Sequence, residues 1–315
     1  MGATIGLIDV DGHRFPNLAL MRISAWHKAN GDSVEWWMGD LFHYDRVYIS
    51  KVFSFSPDVT DPVNCDEVIR GGTGYCISVE GGREVFDKAK NASLPLEVEA
   101  MKPDYTIYPQ YDFAISMTSR GCPRGCSFCH VAAKEGRCSV KVANVSDFWN
   151  GQKRIEVLDP NIVACRDKRE LFHQYRETGA QIVFNQGLDI RLMNDEDLDD
   201  INHMRIKDLH FAWDNPKDDL VPRFEWFARN FRRKGNIGMV YVLTNFWSSM
   251  EENLHRIYAL RDLGYDPYVM IYNKKEADQE LINLQRWCNN KFVFGKTPDF
   301  ADYVRGYTYK KEVRS

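Results

Sequence analysis

The segment Cys122-Pro123-Arg124-Gly125-Cys126-Ser127-Phe128-Cys129 places three cysteines in the spacing C-x3-C-x2-C. Three thiolates so spaced can hold three irons of a cubane iron–sulfur cluster, which leaves the fourth iron without a protein ligand. Electron-carrier clusters are closed by four thiolates, so a three-thiolate loop keeps one coordination position for another molecule. Phe128 sets an aromatic face beside the third cysteine. Zinc on Cys122, Cys126, Cys129 and either His130 or Cys138 is the other way to use these thiols. Structural zinc usually takes paired knuckles and four closed ligands, and no second knuckle is present.

Outward from this loop, the chain of 315 residues reads as one large or two smaller domains, with 44% hydrophobic and 13% aromatic residues to fill a core. No run of eighteen apolar residues is present, so no membrane span is expected. The N-terminus enters an apolar strand pattern at Ala3–Ile8 without a basic leader or cleavage site. Eight cysteines in such a chain suit a reducing cytoplasm rather than a disulfide framework. A net charge of −4 gives no general attraction for nucleic acid. The aromatic and basic stretch Trp226-Phe227 through Phe231-Arg232-Arg233-Lys234 has helical spacing, which makes its aromatics core and its bases a solvated face.

The first hundred residues read as a small α/β unit. Strands are expected at Ile5–Val10, Ser33–Met38, Arg46–Val52 and Glu67–Arg70, the last running into the glycine turn Gly71-Gly72-Thr73-Gly74. Leu18, Met21, Ala25 and Ala29 recur at helical spacing, and Gly31 stops that helix. Strand, helix, strand at this rhythm implies parallel pairing with crossover helices. From Asp112 the alternation lengthens. Strands are expected at Phe113–Met117, Arg154–Leu158, Gln181–Phe184, Asp208–Trp213, Gly238–Leu243 and Asp266–Tyr272. Helices are expected at Lys168–Thr178, Glu196–Met204, Phe224–Lys234 and Met250–Leu263. Six strands, each followed by polar residues, describe a partial β/α barrel. The expected domains are residues 1–100, 101–275 and a C-terminal cap at 276–315.

The cysteine loop, with its aromatic Phe128 and its lead-in Thr118-Ser119-Arg120-Gly121, resembles the signature of the radical S-adenosylmethionine (SAM) superfamily. That resemblance implies a partial (β/α)6 barrel, one 4Fe-4S cluster on Cys122, Cys126 and Cys129, and SAM bound at the open iron. It also implies an electron donor such as a flavodoxin or ferredoxin. In parallel α/β folds ligands gather at the C-terminal ends of strands, and the resemblance carries SAM contacts over to residues there. Asp159 and Asn161 match by position only, since the family's Gly-Gly-Glu is absent. Arg191 resembles the arginine that clamps the methionyl carboxylate. Asp214 falls where relatives place an acidic residue near the ribose or amino-acid end. Thr244-Asn245 replaces the usual glycine-rich adenine turn.

Residues 1–100 resemble a reduced, Rossmann-like cobalamin-binding domain, through Pro16-Asn17-Leu18-Ala19-Leu20 and the Gly31-to-Glu35 strand entry. Asp11-Gly12-His13 resembles the start of the family's cobalt-ligand motif. However, Pro16 stands where its glycine belongs, and residues 75–100 are few for a closing strand and helix, so bound cobalamin is not expected. Cysteine counting allows one cluster, because only Cys65 and Cys76 precede the loop and only Cys288 lies beyond Cys165. The expectation is therefore a single-cluster radical SAM enzyme whose substrate the residues do not name. A cobalamin-dependent radical methyltransferase and a non-enzymatic iron–sulfur or zinc module are the alternatives.

Overall fold

The N-terminal alternation forms a four-stranded parallel sheet. β1 (Thr4–Asp9) leads through α1 (Leu18–Ala29) to β2 (Ser33–Trp36), and β3 (Tyr44–Ser50) and β4 (Cys65–Gly71) follow. The strand order is β2-β1-β3-β4, with Ile5 opposite both Val34 and Arg46, and Val47 opposite Val68. Asn17 starts α1 by accepting the Leu20 amide at 3.2 Å, which meets one of the donors a helix leaves unpaired at its first turn. Leu20, Met21 and Ile23 of α1 then join Ile5 and Leu7 in one core.

The computed structural model describes residues 2–81, 83–232, 235 and 237–304. One expectation for the N-terminal region meets a different outcome. Only the first connection is helical; residues 37–43 and 51–64 join their strands without a helix. Seven residues reach about 23–25 Å when extended, enough to run back past so short a strand. After β4 the sheet gains no fifth parallel strand. Instead a 3-10 turn at Thr73–Tyr75 leads to an antiparallel hairpin of β5 (Ile77–Glu80) and β6 (Arg83–Phe86), and then to the short α2 (Leu96–Glu99).

From residue 114 onward come β7 (Ala114–Ser116), β8 (Ser119–Arg120), α3 (Val131–Glu135), β9 (Val140–Lys141), β10 (Arg154–Val157), α4 (Lys168–Glu177), β11 (Gln181–Phe184) and α5 (Asp195–His203). They are followed by β12 (Arg205–Ala212), α6 (Val221–Asn230), β13 (Met239–Thr244), α7 (Met250–Asp262), β14 (Asp266–Ile271), α8 (Gln279–Asn289) and α9 (Lys291–Lys296). All six long-alternation strands and their helices stand within a few residues of expectation. Arg233 and Lys234, expected to end α6, lie outside the described residues.

Packing divides the chain into two compact units, Met1–Leu188 with Leu192–Asp208, and Asp189–Arg191 with Leu209–Ser315. This division leaves the boundaries near residues 100 and 275 as a proposal. In the first unit β10 pairs in parallel with both β7 and β11. In the second, β13 pairs in parallel with β12 and β14. The chain is thus a mixed α/β protein built on parallel sheets. Within the second unit α8 buries Leu281, Leu284, Trp287 and Cys288, and Trp287 meets Phe294 and Phe300 ring to ring at 4.7 and 5.4 Å. Of the expected cap, residues 305–315 lie outside the described ones. No described helix is long and apolar enough to cross a membrane.

Candidate functional site

Backbone contacts clasp the cysteine loop at its base. β8, directly before it, pairs antiparallel with β9, Ser119 opposite Lys141 and Arg120 opposite Val140. The Cys122 amide donates to the Gly136 carbonyl at 3.1 Å, and the Cys129 amide to the Cys126 carbonyl at 3.0 Å. Gly121 has φ +89°, and a Cβ there would lie 2.1 Å from the Cys138 carbonyl oxygen. Only glycine takes this conformation without strain and leaves room for the returning chain.

The lead-in is fixed by Asp159, two residues past β10. Its carboxylate accepts the Thr118 amide at 2.8 Å, the Thr118 hydroxyl at 2.8 Å, the Ser119 amide at 2.5 Å and the Ser119 hydroxyl at 2.6 Å. Asp159 is buried, and desolvation pushes its carboxyl up to about 6 against the pull of those donors. The expected SAM contact at Asp159 therefore meets a side chain already committed to the loop's approach. Asn161 lies closer to the cysteines. Its Nδ2 donates to Cys122 Sγ at 3.4 Å, its Oδ1 accepts the Ala164 amide, and its carbonyl accepts the Ser139 hydroxyl at 2.9 Å.

A second set of contacts ties the loop to α1, α2 and the hairpin of the N-terminal region. Arg120 and the buried Arg22 both face Glu99, at 3.2 and 3.7 Å, and Arg22 also donates to the Ser116 hydroxyl. His130, next after Cys129, meets Glu84 of β6 at 3.2 Å and stacks on Phe86. Cys122 and Cys126 are partly buried, as is Phe128, while Cys129 and Cys138 are exposed. Among the described residues, no three His, Cys, Asp or Glu side chains converge as ligands of one metal ion. A four-iron cube asks for something else, one thiolate per iron on a loop that can wrap it. The positive φ of Gly121 and Gly125, at +89° and +57°, and the amide donor on Cys122 Sγ suit that demand; hydrogen bonds to cluster sulfurs are a normal part of such sites.

The remaining expected residues lie in the second unit, where the structure separates them by role. Arg191 donates Nε to Asp189 at 2.7 Å and pairs Nη1 with Asp218 at 3.1 Å, so two of its three side-chain nitrogens are already engaged. Asn245, left-handed at φ +61°, donates Nδ2 to the Tyr272 carbonyl at 2.8 Å and ties the ends of β13 and β14. The Asp214 carboxylate, partly buried, makes no hydrogen bond or ion pair with any described residue. Burial pushes it up to about 6, although Arg191 and Arg256 draw it down.

Arg256 escaped the sequence reading. Fully buried, it donates to the carbonyls of Trp213 at 2.7 Å, Asp214 at 2.9 Å and Leu243 at 3.0 Å, closing the ends of β12 and β13. The signal was present: Asn253 and Arg256 share the face of α7 that buries Ile257 and Leu260.

No family model matches the chain, and no curated protein matches it. Among solved structures it is similar to the cobalamin-dependent S-adenosylmethionine radical enzyme OxsB with aqua-cobalamin and S-adenosylmethionine bound, at 12% identity and a TM-score of 0.37. That match covers 93% of this chain and 56% of the OxsB chain, so this chain spans little more than half of OxsB's length. A likeness of that degree carries no argument about the site.

Proposed function

We propose that the chain is a radical SAM enzyme that holds one 4Fe-4S cluster on Cys122, Cys126 and Cys129 and cleaves S-adenosylmethionine reductively to a 5′-deoxyadenosyl radical. The observation that carries this reading is the clasped three-cysteine loop with the Asn161 amide on Cys122 Sγ. When bound, the cluster supplies one electron and an open iron to SAM; the chain supplies orientation and the exclusion of water. Asp159 sets the approach of the loop through Thr118 and Ser119. Asn161 orients the first thiolate. Gly121 lets the chain at Cys138 close behind it.

Of the expected contacts in the second unit, Asp214 is the one whose side chain is uncommitted, and we assign it to accept a hydrogen bond from a ligand hydroxyl or ammonium group. Arg191 and Asn245 are assigned to hold the strand ends. The reading includes the partial (β/α)6 barrel, for which the two three-stranded sets provide the right number of parallel strands. It also includes a cytoplasmic setting and a flavodoxin- or ferredoxin-type electron donor.

It assigns no corrinoid to residues 1–100. Supporting this, the parallel sheet stops at four strands and continues as a hairpin, and the His13 ring lies 4.1 Å from that of Trp36, centroid to centroid. The test is anaerobic reconstitution followed by iron, sulfide and zinc analysis, then incubation with SAM and dithionite. About four irons per chain and release of 5′-deoxyadenosine are the expected outcome. Stoichiometric zinc without iron would overturn it in favour of the binding module.

A further inference from the structure

A cavity of about 290 Å³ opens at the N-terminal ends of β10, β11 and β12, close to the lower bound of about 300 Å³ for small-molecule pockets. Lys153 stands just before β10, Gln181 opens β11 and Arg205 opens β12, and all three line it. β10 runs parallel to β7, whose C-terminal end leads to the cysteine loop. The cavity therefore lies at the opposite end of these strands, and the cluster chemistry leaves it unused.

Most acceptors around it are already taken. The Gln152 carbonyl accepts the Trp149 indole N–H at 2.9 Å, and Gln152 Oε1 accepts the Asn150 amide at 2.6 Å. The Lys153 carbonyl accepts the Gln181 amide at 2.8 Å. The Thr178 hydroxyl accepts the Ala180 amide at 3.1 Å and donates to the Tyr175 carbonyl at 2.6 Å. Arg205 Nη1 donates to the Gly179 carbonyl at 2.9 Å, which covers the carbonyl end just past α4, where an anion would otherwise be repelled. Three donor groups are left over. Gln152 Nε2, Lys153 Nζ, and Nε and Nη2 of Arg205 make no hydrogen bond or ion pair with any described residue. A solvated lysine or arginine needs no partner. Here one of each, with an amide NH2 group, belongs to a single concavity that no acidic residue lines.

We propose that this cavity binds the phosphate group of a small organic molecule. A tetrahedral oxyanion presents several acceptor oxygens to donors that arrive from different elements, and a guanidinium and an ammonium meet it with charge-assisted hydrogen bonds. The partly buried indole of Trp149 gives the remainder of the ligand an apolar surface. Because the cavity and the cysteine loop lie at opposite strand ends, this ligand is separate from any molecule bound at the loop.

The experiment is calorimetric titration of the full-length protein with inorganic phosphate, ionic strength being held constant with chloride. Wild type should show one saturable site. Lys153→Ala should weaken it about tenfold, and Gln152→Glu, which sets a carboxylate among the donors, should abolish it. Lys217→Ala, at an exposed lysine outside the cavity, should bind like wild type. Lys153 is exposed, so its variant decides the question even if Gln152→Glu does not fold. Absence of saturable phosphate binding in wild type overturns the proposal, as does binding unchanged in Lys153→Ala. Equal weakening in Lys217→Ala would mean diffuse surface attraction and would overturn it too. Acetate binding as tightly as phosphate would overturn the phosphate assignment. Failure to load iron would overturn the cluster reading and leave this result intact.

Discussion

Two aspartates follow strands in the two units, Asp159 after β10 and Asp214 after β12, and burial pushes both up to about 6. By titration alone they look alike. By geometry they are opposites. Asp159 accepts four donors from Thr118 and Ser119, whereas Asp214 accepts none from the described residues. A buried carboxylate with every donor in place is part of the framework; a partly buried one that no described donor reaches is open to water or to a ligand. The comparison therefore places one aspartate in the framework of the loop and leaves the other free for the ligand role proposed above.

The largest test of the framework side is loss of the thiolates. Cys122→Ala, Cys126→Ala and Cys129→Ala should each abolish cluster loading, measured as iron per chain after reconstitution, while Cys65→Ala and Cys288→Ala should load normally. If a single loop variant kept full iron content, the cluster would have to be held elsewhere.

Next comes the sign of one substitution made at both aspartates. Asp159→Asn sets an NH2 group against backbone donors and should lower stability by about 2–4 kcal/mol in denaturant unfolding, with poorer cluster retention. Asp214→Asn should do the reverse. The folded value of about 6 lies above the ordinary 3.8, so the native state holds this proton more readily than the unfolded chain. The contribution of Asp214 to stability is thus fully present below about pH 4 and is lost as pH rises through about 6. At pH 7 the Asn variant should be more stable by about 1–3 kcal/mol, and the gain should vanish near pH 4. Equal signs for the two variants would erase the distinction.

Smaller effects would refine it. Asn161→Ala removes the donor on Cys122 Sγ and should shift the cluster's midpoint potential to more negative values, since that hydrogen bond stabilises added electron density on sulfur; an unmoved potential would make Asn161 a loop brace alone. His13→Ala should leave iron loading and SAM cleavage unchanged, and purification with hydroxocobalamin should give no corrinoid absorbance. Stoichiometric corrinoid lost in that variant would promote the cobalamin-dependent methyltransferase.

Much of this architecture was legible along the chain. Apolar runs such as Ile182-Val183-Phe184 and Val240-Tyr241-Val242-Leu243 are the mark of strands buried on both faces. The helix starts were equally plain, since Ser249 and Glu252 form the capping box that opens α7. The clasp of β8 and β9 was not legible, because two-residue strands carry no periodicity. The hairpin after β4 was likewise hidden: Ile77-Ser78-Val79-Glu80 alternates as any half-buried strand does, and nothing local tells a parallel fifth strand from an antiparallel turn-back.

The sequence by itself determined the cysteine loop and the strand–helix alternation, because metal-ligand spacing and burial periodicity are set by neighbours along the chain. Tertiary structure alone decided which polar groups were already committed. Asp159 finds Thr118 at a separation of 41 residues, and Arg256 finds the Trp213 carbonyl at 43. Pairings of that range depend on where distant backbone comes to rest. The same residue type can then be a brace in one place and an open site in another.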